Sequence, residues 1–132
     1  MWTDAGFRWL FDMGLGNLRG DDGGLTDELA KGRIVVGDGD APESRTDTRL
    51  AGEQTAQATI SSYEIVETDV GIALVVTADF PEGEALFDWR ERGFVSAQGV
   101  LLERTVEDGG RKGPTALWTA EATLELVTLT PE

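Results

Sequence analysis

From about residue 55 onward the chain alternates apolar and polar positions with a period of two. Trp118, Ala120, Ala122, Leu124 and Leu126 fall on one side of an extended segment, and Thr119, Glu121, Thr123 and Glu125 on the other. That period is the mark of a strand with one face buried. Ile72, Leu74, Val76, Ala78 and Phe80 repeat the pattern, opposed by Thr77 and Asp79. Phe87 and Trp89 alternate with Asp88 and Arg90, Val100 to Val106 forms a further strand, and Arg33 to Val36 a short apolar one. Ala56, Ala58 and Ile60 share a face, whereas Tyr63 and Ile65 fall in the opposite phase. The phase change predicts a β-bulge near Ser61-Ser62.

Turn chemistry separates these segments. Turns are expected at Gly37-Asp38-Gly39-Asp40, Thr68 to Gly71, Pro81-Glu82-Gly83 and Ala97-Gln98-Gly99, with a glycine-rich hairpin tip at Glu107 to Pro114. Pro42 to Ala51 reads as a polar connection, with one helical turn at Thr46 to Leu50. Residues 17–32 read as a loop, with five Gly or Asp positions between Asn17 and Gly24 and one helical turn at Thr26 to Lys31.

Only the N-terminus shows helical spacing. Over residues 3–13, Phe7, Leu10 and Phe11 form a stripe at i, i+3, i+4, with Thr3 or Asp4 as cap and Gly14 and Gly16 as stop. Trp9 falls off the stripe. Counting Trp2, Phe7, Trp9, Leu10, Phe11 and Met13, the helix is apolar nearly all round. Such a helix lies in its own core or against a neighbour. Trp2, Phe7, Trp9, Leu10 and Phe11 are therefore candidate interface residues, and so is Arg90, an outward arginine among Asp88, Glu91 and Glu84. The expected fold is mainly β: an antiparallel β-sandwich with a short N-terminal helix. It forms a single domain, with residues 1–16 as an assembly helix and 17–132 as the sandwich.

Composition narrows the chemistry. The 132 residues are 40% apolar, enough for a core and too many for a disordered acidic chain. Net charge is −14, which repels nucleic acid and anionic membranes. Only Lys31 and Lys112 are lysines. An acidic, lysine-poor surface is the habit of proteins from salt-saturated cytoplasm, where a Debye length of about 3 Å makes self-repulsion cheap. With no cysteine, disulfides and thiolate metal sites are excluded. With no histidine, Ser-His and Cys-His dyads and imidazole zinc sites are excluded as well. No glycine-rich phosphate loop is present. A carboxylate pair could still act as acid and base in a glycosidase, but 25 acids make close pairs common by chance. We therefore expect no enzyme, no cofactor and no bound metal. Asp21-Asp22 and Asp38-Gly39-Asp40 read as turn chemistry rather than a calcium loop. Arg19-Gly20-Asp21 is a chance tripeptide in a glycine-rich loop. No apolar run is long enough to span a membrane, and the N-terminus lacks the basic flank of a signal peptide.

An ordered set of motifs carries a resemblance. Thr3-Asp4-Ala5-Gly6 comes first, then Ile34-Val35-Val36-Gly37-Asp38-Gly39, Pro42, and Asp47-Thr48-Arg49-Leu50 with Glu53. Phe80-Pro81-Glu82-Gly83-Glu84-Ala85, Trp89-Arg90-Glu91, Gly93-Phe94 and Leu101-Leu102-Glu103-Arg104 follow. In this order they resemble the attachment domain that begins phage tail-collar and tail-fibre proteins, and small stand-alone virion proteins of tailed viruses. The resemblance implies a virion structural role: a tail or baseplate component that anchors or forms part of a fibre. It implies partners among other virion proteins and a homo-oligomer, with a trimer favoured. The protein would reside in the virion, assembled in the host cytoplasm. With the acidic composition it points to a tailed virus of halophilic archaea. A fibre would continue into a shaft, whereas this sequence stops at Pro131-Glu132, so no receptor-binding tip is expected in it. Alternatives are a capsid decoration or turret protein, an acidic DNA-mimic inhibitor and a carbohydrate-binding module. The acids gather in turns at 38–47, 82–91 and 103–108, which suits a solvated surface better than a row of phosphate mimics.

Screening should relieve the repulsion among these carboxylates. The melting temperature is expected to rise from about 0.1 M to molar KCl, over which the Debye length shrinks from roughly 10 to 3 Å. A flat or falling curve would refute halophilic adaptation.

Overall fold

The computed structural model describes residues 1–11, 28–69 and 71–127. The loop expected between Asn17 and Gly24, the stops at Gly14 and Gly16 and the Asp21-Asp22 pair lie outside them. Helix α1 spans Asp4–Phe11, and seven strands follow: β1 Arg33–Gly37, β2 Thr55–Thr59, β3 Ser62–Thr68, β4 Gly71–Phe80, β5 Asp88–Val95, β6 Leu101–Arg111 and β7 Trp118–Val127. A four-stranded sheet has the order β2-β1-β5-β6, and a three-stranded sheet the order β3-β4-β7, with every pairing antiparallel. The described residues are mainly β, a two-sheet sandwich with a short N-terminal helix, as the alternation predicts.

The core lies between the sheets. Ile34, Val36, Phe94 and Leu102 from one sheet meet Leu74, Val76, Ala78, Phe80, Ala120, Ala122 and Leu124 from the other. The period-two faces of β4 and β7 are thus the buried faces. Ile72 is the exception: it sits near the open end of β4 and is 51% exposed.

The phase change after Ile60 has a different cause from the bulge expected at Ser61-Ser62. The Ile60 amide donates to Gly32 O beside the first sheet (3.4 Å), and the Ser61 amide to Thr77 O in the second (2.8 Å). Two consecutive residues therefore carry the chain from one sheet to the other. Real register shifts occur elsewhere, between Trp89 and Glu91 and between Phe94 and Val95. Residues 107–111, expected as a hairpin tip, continue β6, with Trp89 opposite Gly110 and Asp88 opposite Arg111. Asp108 and Gly110 (φ 84°) provide the local turn chemistry that suggested a tip.

Thr3 caps α1: its hydroxyl accepts the Gly6 amide at 2.9 Å. The helix then turns a different face inward from the predicted stripe. Gly6 lies so close to β6 that a Cβ there would sit 2.7 Å from Leu102 Cα. Trp9, one turn on, is buried in the core, and its indole donates to Gln98 Oε1 at 2.8 Å. Phe7 points to solvent, stacked on Trp2 with ring centroids 5.2 Å apart. A glycine that lets backbones touch, and a tryptophan with a polar partner, outrank the phenylalanine stripe.

At the opposite end of the sandwich, Trp89 contacts Phe80 and Trp118 edge-to-face, each at 5.0 Å between centroids. Its indole donates to Ala85 O at 3.0 Å. Trp89→Ala should lower stability by about 3 kcal/mol, the low end for a tryptophan because Trp89 is only half-buried. A urea midpoint equal to that of the parent protein would contradict this packing.

Candidate functional site

The outer face of β5 and β6 holds the most concentrated polar chemistry of the described residues. Antiparallel pairing brings Glu91 and Arg104 together from neighbouring strands, and both side chains are essentially inaccessible to water. Arg104 Nε donates to Glu91 Oε1 at 2.9 Å. The other guanidinium nitrogens donate to Asp47 Oδ2 (3.1 Å), Pro42 O (3.3 Å) and Ala41 O (2.8 Å). Glu91 in turn accepts the amides of Gly39 (2.9 Å), Ala51 (2.8 Å) and Gly52 (2.7 Å).

These bonds fold residues 38–54, the connection between β1 and β2, back over the sheet as a strap. Asp38 Oδ1 takes the Gln54 amide at 3.1 Å, and Glu43 Oε1 takes the Val106 amide at 2.8 Å. The helical turn expected at Thr46 to Leu50 is replaced by a tight turn in which Asp47 accepts the Ser44 amide at 2.9 Å. Gly39 and Gly52 pass back to back around the carboxylate, and a Cβ on either would meet the other's amide nitrogen. Burial works against the Arg104 charge, but the hydrogen bonds and attraction of Glu91 and Asp47 outweigh it and hold its pKa above the ordinary value.

Glu103, one residue away, is also buried. Its Oε2 accepts the Thr105 hydroxyl at 2.9 Å and lies 3.4 Å from the Met1 amino group. Its Oε1 has no partner among the described residues. Burial pushes its carboxyl above the usual glutamate range, against the pull of those two donors. Glu91 and Glu103 thus correct the expectation that the acids at 82–91 and 103–108 are all solvated. Within the motifs they read as surface acids; the legible sign was the glycines at 37, 39 and 52, which leave room for a carboxylate.

The predicted interface residues do not gather in one place. Trp9 is enclosed within the subunit, and Leu10 packs partly against the same core. Trp2 is half-buried and Phe7 exposed. The Phe11 side chain lies outside the described part. Arg90 is half-exposed on β5, 3.6 Å from Asp40 and 3.7 Å from Asp88. Two open depressions complete the surface. A groove of about 860 Å³ lies between the strap and the outer sheet face, lined by Val35, Leu50, Gly52, Val95 and Leu101. A cleft of about 490 Å³ lies beside β7, lined by Trp89, Trp118, Arg92, Glu107 and Glu121. Among the described residues no cluster of three or more acidic, His or Cys side chains is arranged to hold a metal, and no helix is long and apolar enough to cross a membrane.

Comparison with protein families, curated proteins and solved structures finds no match to this chain.

Removing one member of a buried ion pair strands the other charge. Arg104→Met is expected to cost about 3–5 kcal/mol and to free the strap. Amides that hydrogen exchange finds protected at Gly39, Ala51 and Gly52 should then exchange quickly. Retained protection at these three amides would show that the strap does not depend on Arg104.

Proposed function

We propose that this protein is a non-enzymatic structural component of a tailed-virus particle, placed in the tail or baseplate, where it anchors or forms part of a fibre. The observation that carries this reading is the fate of the motif residues. Gly37, Gly39, Asp47, Glu91 and Arg104, drawn from four separate motifs of the tail-fibre resemblance, converge on one buried clip. The clip is fully committed to holding backbone. Both Glu91 oxygens are filled by donors, which leaves Glu91 poorly placed to act as an acid or base. Shape, rather than chemistry, is what such a site maintains. On this reading the partners are other virion proteins and further copies of the chain, and the protein resides in the assembled particle.

Immunogold labelling of purified particles with antibody against the folded protein tests the assignment. Label at the tail or baseplate is the expected result. Label on the head would replace it with a capsid decoration role, and particles free of label would reject a virion role altogether.

A further inference from the structure

We propose that copies of this chain assemble head to tail: the loop tip at the aromatic end of one copy docks in the groove between the strap and the outer sheet face of the next. This rests on the reading that copies of the chain are partners of one another, and is independent of where in a particle they sit.

The tip is built from two loops. Residues 81–87 join β4 to β5, and residues 112–117 join β6 to β7. The Gly83 amide donates to Pro114 O at 3.0 Å and Lys112 Nζ donates to Pro81 O at 2.7 Å, which ties the loops into one projection. Each loop shows a leucine to water: Leu86 is 43% exposed and Leu117 59%. Ala85 explains the display of Leu86. Its φ of 57° is a left-handed conformation, which crowds the Cβ of any residue but glycine. The Ala85 carbonyl holds that conformation by accepting the Phe87 amide and the Trp89 indole, each at 3.0 Å. Phe87 is thereby buried and Leu86 turned out. Backbone strain of this kind gathers at contact and binding segments. Glu82 and Glu84 flank the leucine, exposed, with carboxylates that make no hydrogen bond or ion pair among the described residues.

The groove offers the opposite charge on an apolar floor. Val35, Leu50, Val95 and Leu101 line it, with Arg49 and Glu53 at the strap. Arg33 extends the same face: it pairs with Val95, on the side of β1 opposite buried Ile34 and Val36. Arg45, Arg90, Arg92, Arg104 and Arg111 all pair with carboxylates. Arg33 and Arg49 have no such partner among the described residues, and Arg33 Nε makes no hydrogen bond. A face with more arginine than carboxylate stands out on a chain of net charge −14.

Charge complementarity selects the tip of a second copy as the occupant. Leucines meet the apolar floor, and Glu82 and Glu84 meet the free guanidinium groups, which suit carboxylates in bidentate fashion. In molar salt the Debye length is about 3 Å, so only charges brought into contact contribute. Tip and groove are different surfaces, so the contact is heterologous and can close into a ring, the trimer favoured by the resemblance included.

The test is mass by light scattering in molar KCl on full-length variants, with thermal melting as the control for folding. Mass in solution reports on this contact and label on particles on the virion role, so the two fail separately. The parent protein should exceed the mass of one chain. Leu117→Asp, which alters an exposed side chain, should fall to one chain with its melting temperature kept. Arg49→Glu should need about tenfold more protein to associate. Adding Glu82→Arg and Glu84→Arg to that chain should restore the parent's mass. A parent protein of single-chain mass overturns the proposal. So does a Leu117→Asp or Arg49→Glu variant that associates like the parent, or a charge-swapped chain that stays dissociated.

Discussion

A guanidinium and a carboxylate removed from water set the terms for the outer face of β5 and β6. Desolvating each ion costs several kcal/mol, and attraction between them offsets this only when the remaining donors and acceptors are also filled. Arg104 and Glu91 meet that condition by recruiting the strap: three amides for the carboxylate, two carbonyls and Asp47 for the guanidinium. The path of residues 38–54 follows from that demand. So does the glycine content of the strap, since a Cβ at 39 or 52 would collide with the backbone opposite it. An arrangement of this kind contributes little net stability compared with apolar packing; what it fixes is which path the connection takes.

The core strands were legible because β4 and β7 bury one face over most of their length, so period two survives in the sequence. Trp118 to Leu124 and Leu74 to Phe80 kept their predicted faces, and the aromatic group of Phe80, Trp89 and Trp118 formed where alternation placed it. Other features were visible in the sequence and misattributed. The reversal at Ile60-Ser61 was real, but a change of sheet produces the same reversal as a bulge. The helix was found, and its capping threonine, yet its inward face was misjudged. Hydrophobicity ranks Phe7 above Gly6, whereas close backbone approach at Leu102 requires the glycine inward and turns Phe7 out. The clip was the least legible part. A glutamate beside an arginine on a strand reads as surface, and only the three-dimensional meeting of Glu91 with Gly39, Ala51 and Gly52 shows that it is interior.

The two ends of the sandwich are closed by different means. One end is sealed by edge-to-face aromatics, whose geometry tolerates a half-wet indole. The other is sealed by α1 and the turn at 28–30, tied together through Gln98, which accepts from Trp9 and donates to Glu28 at 2.9 Å. That hydrogen bond holds the Glu28 carboxyl below its ordinary pKa. A highly acidic surface therefore coexists with interior contacts that are largely apolar or, as at Glu91 and Arg104, paired, although Glu103 Oε1 has no partner among the described residues. Salt can screen the former, while the latter are largely out of its reach.

The crossing at Ile60-Ser61 also governs how the molecule opens. Local fluctuations usually begin at edges and spread through contiguous cooperative units. Fraying that starts at the Thr68 end of β3 can run back along the strand, but at Ser61 it reaches a joint whose neighbouring amides belong to different sheets. Going further means pulling β2 from β1 and baring Ile34 and Val36. The joint thus acts as a stop: it confines low-energy opening to one layer and makes disruption of either layer beyond it an event of the whole fold.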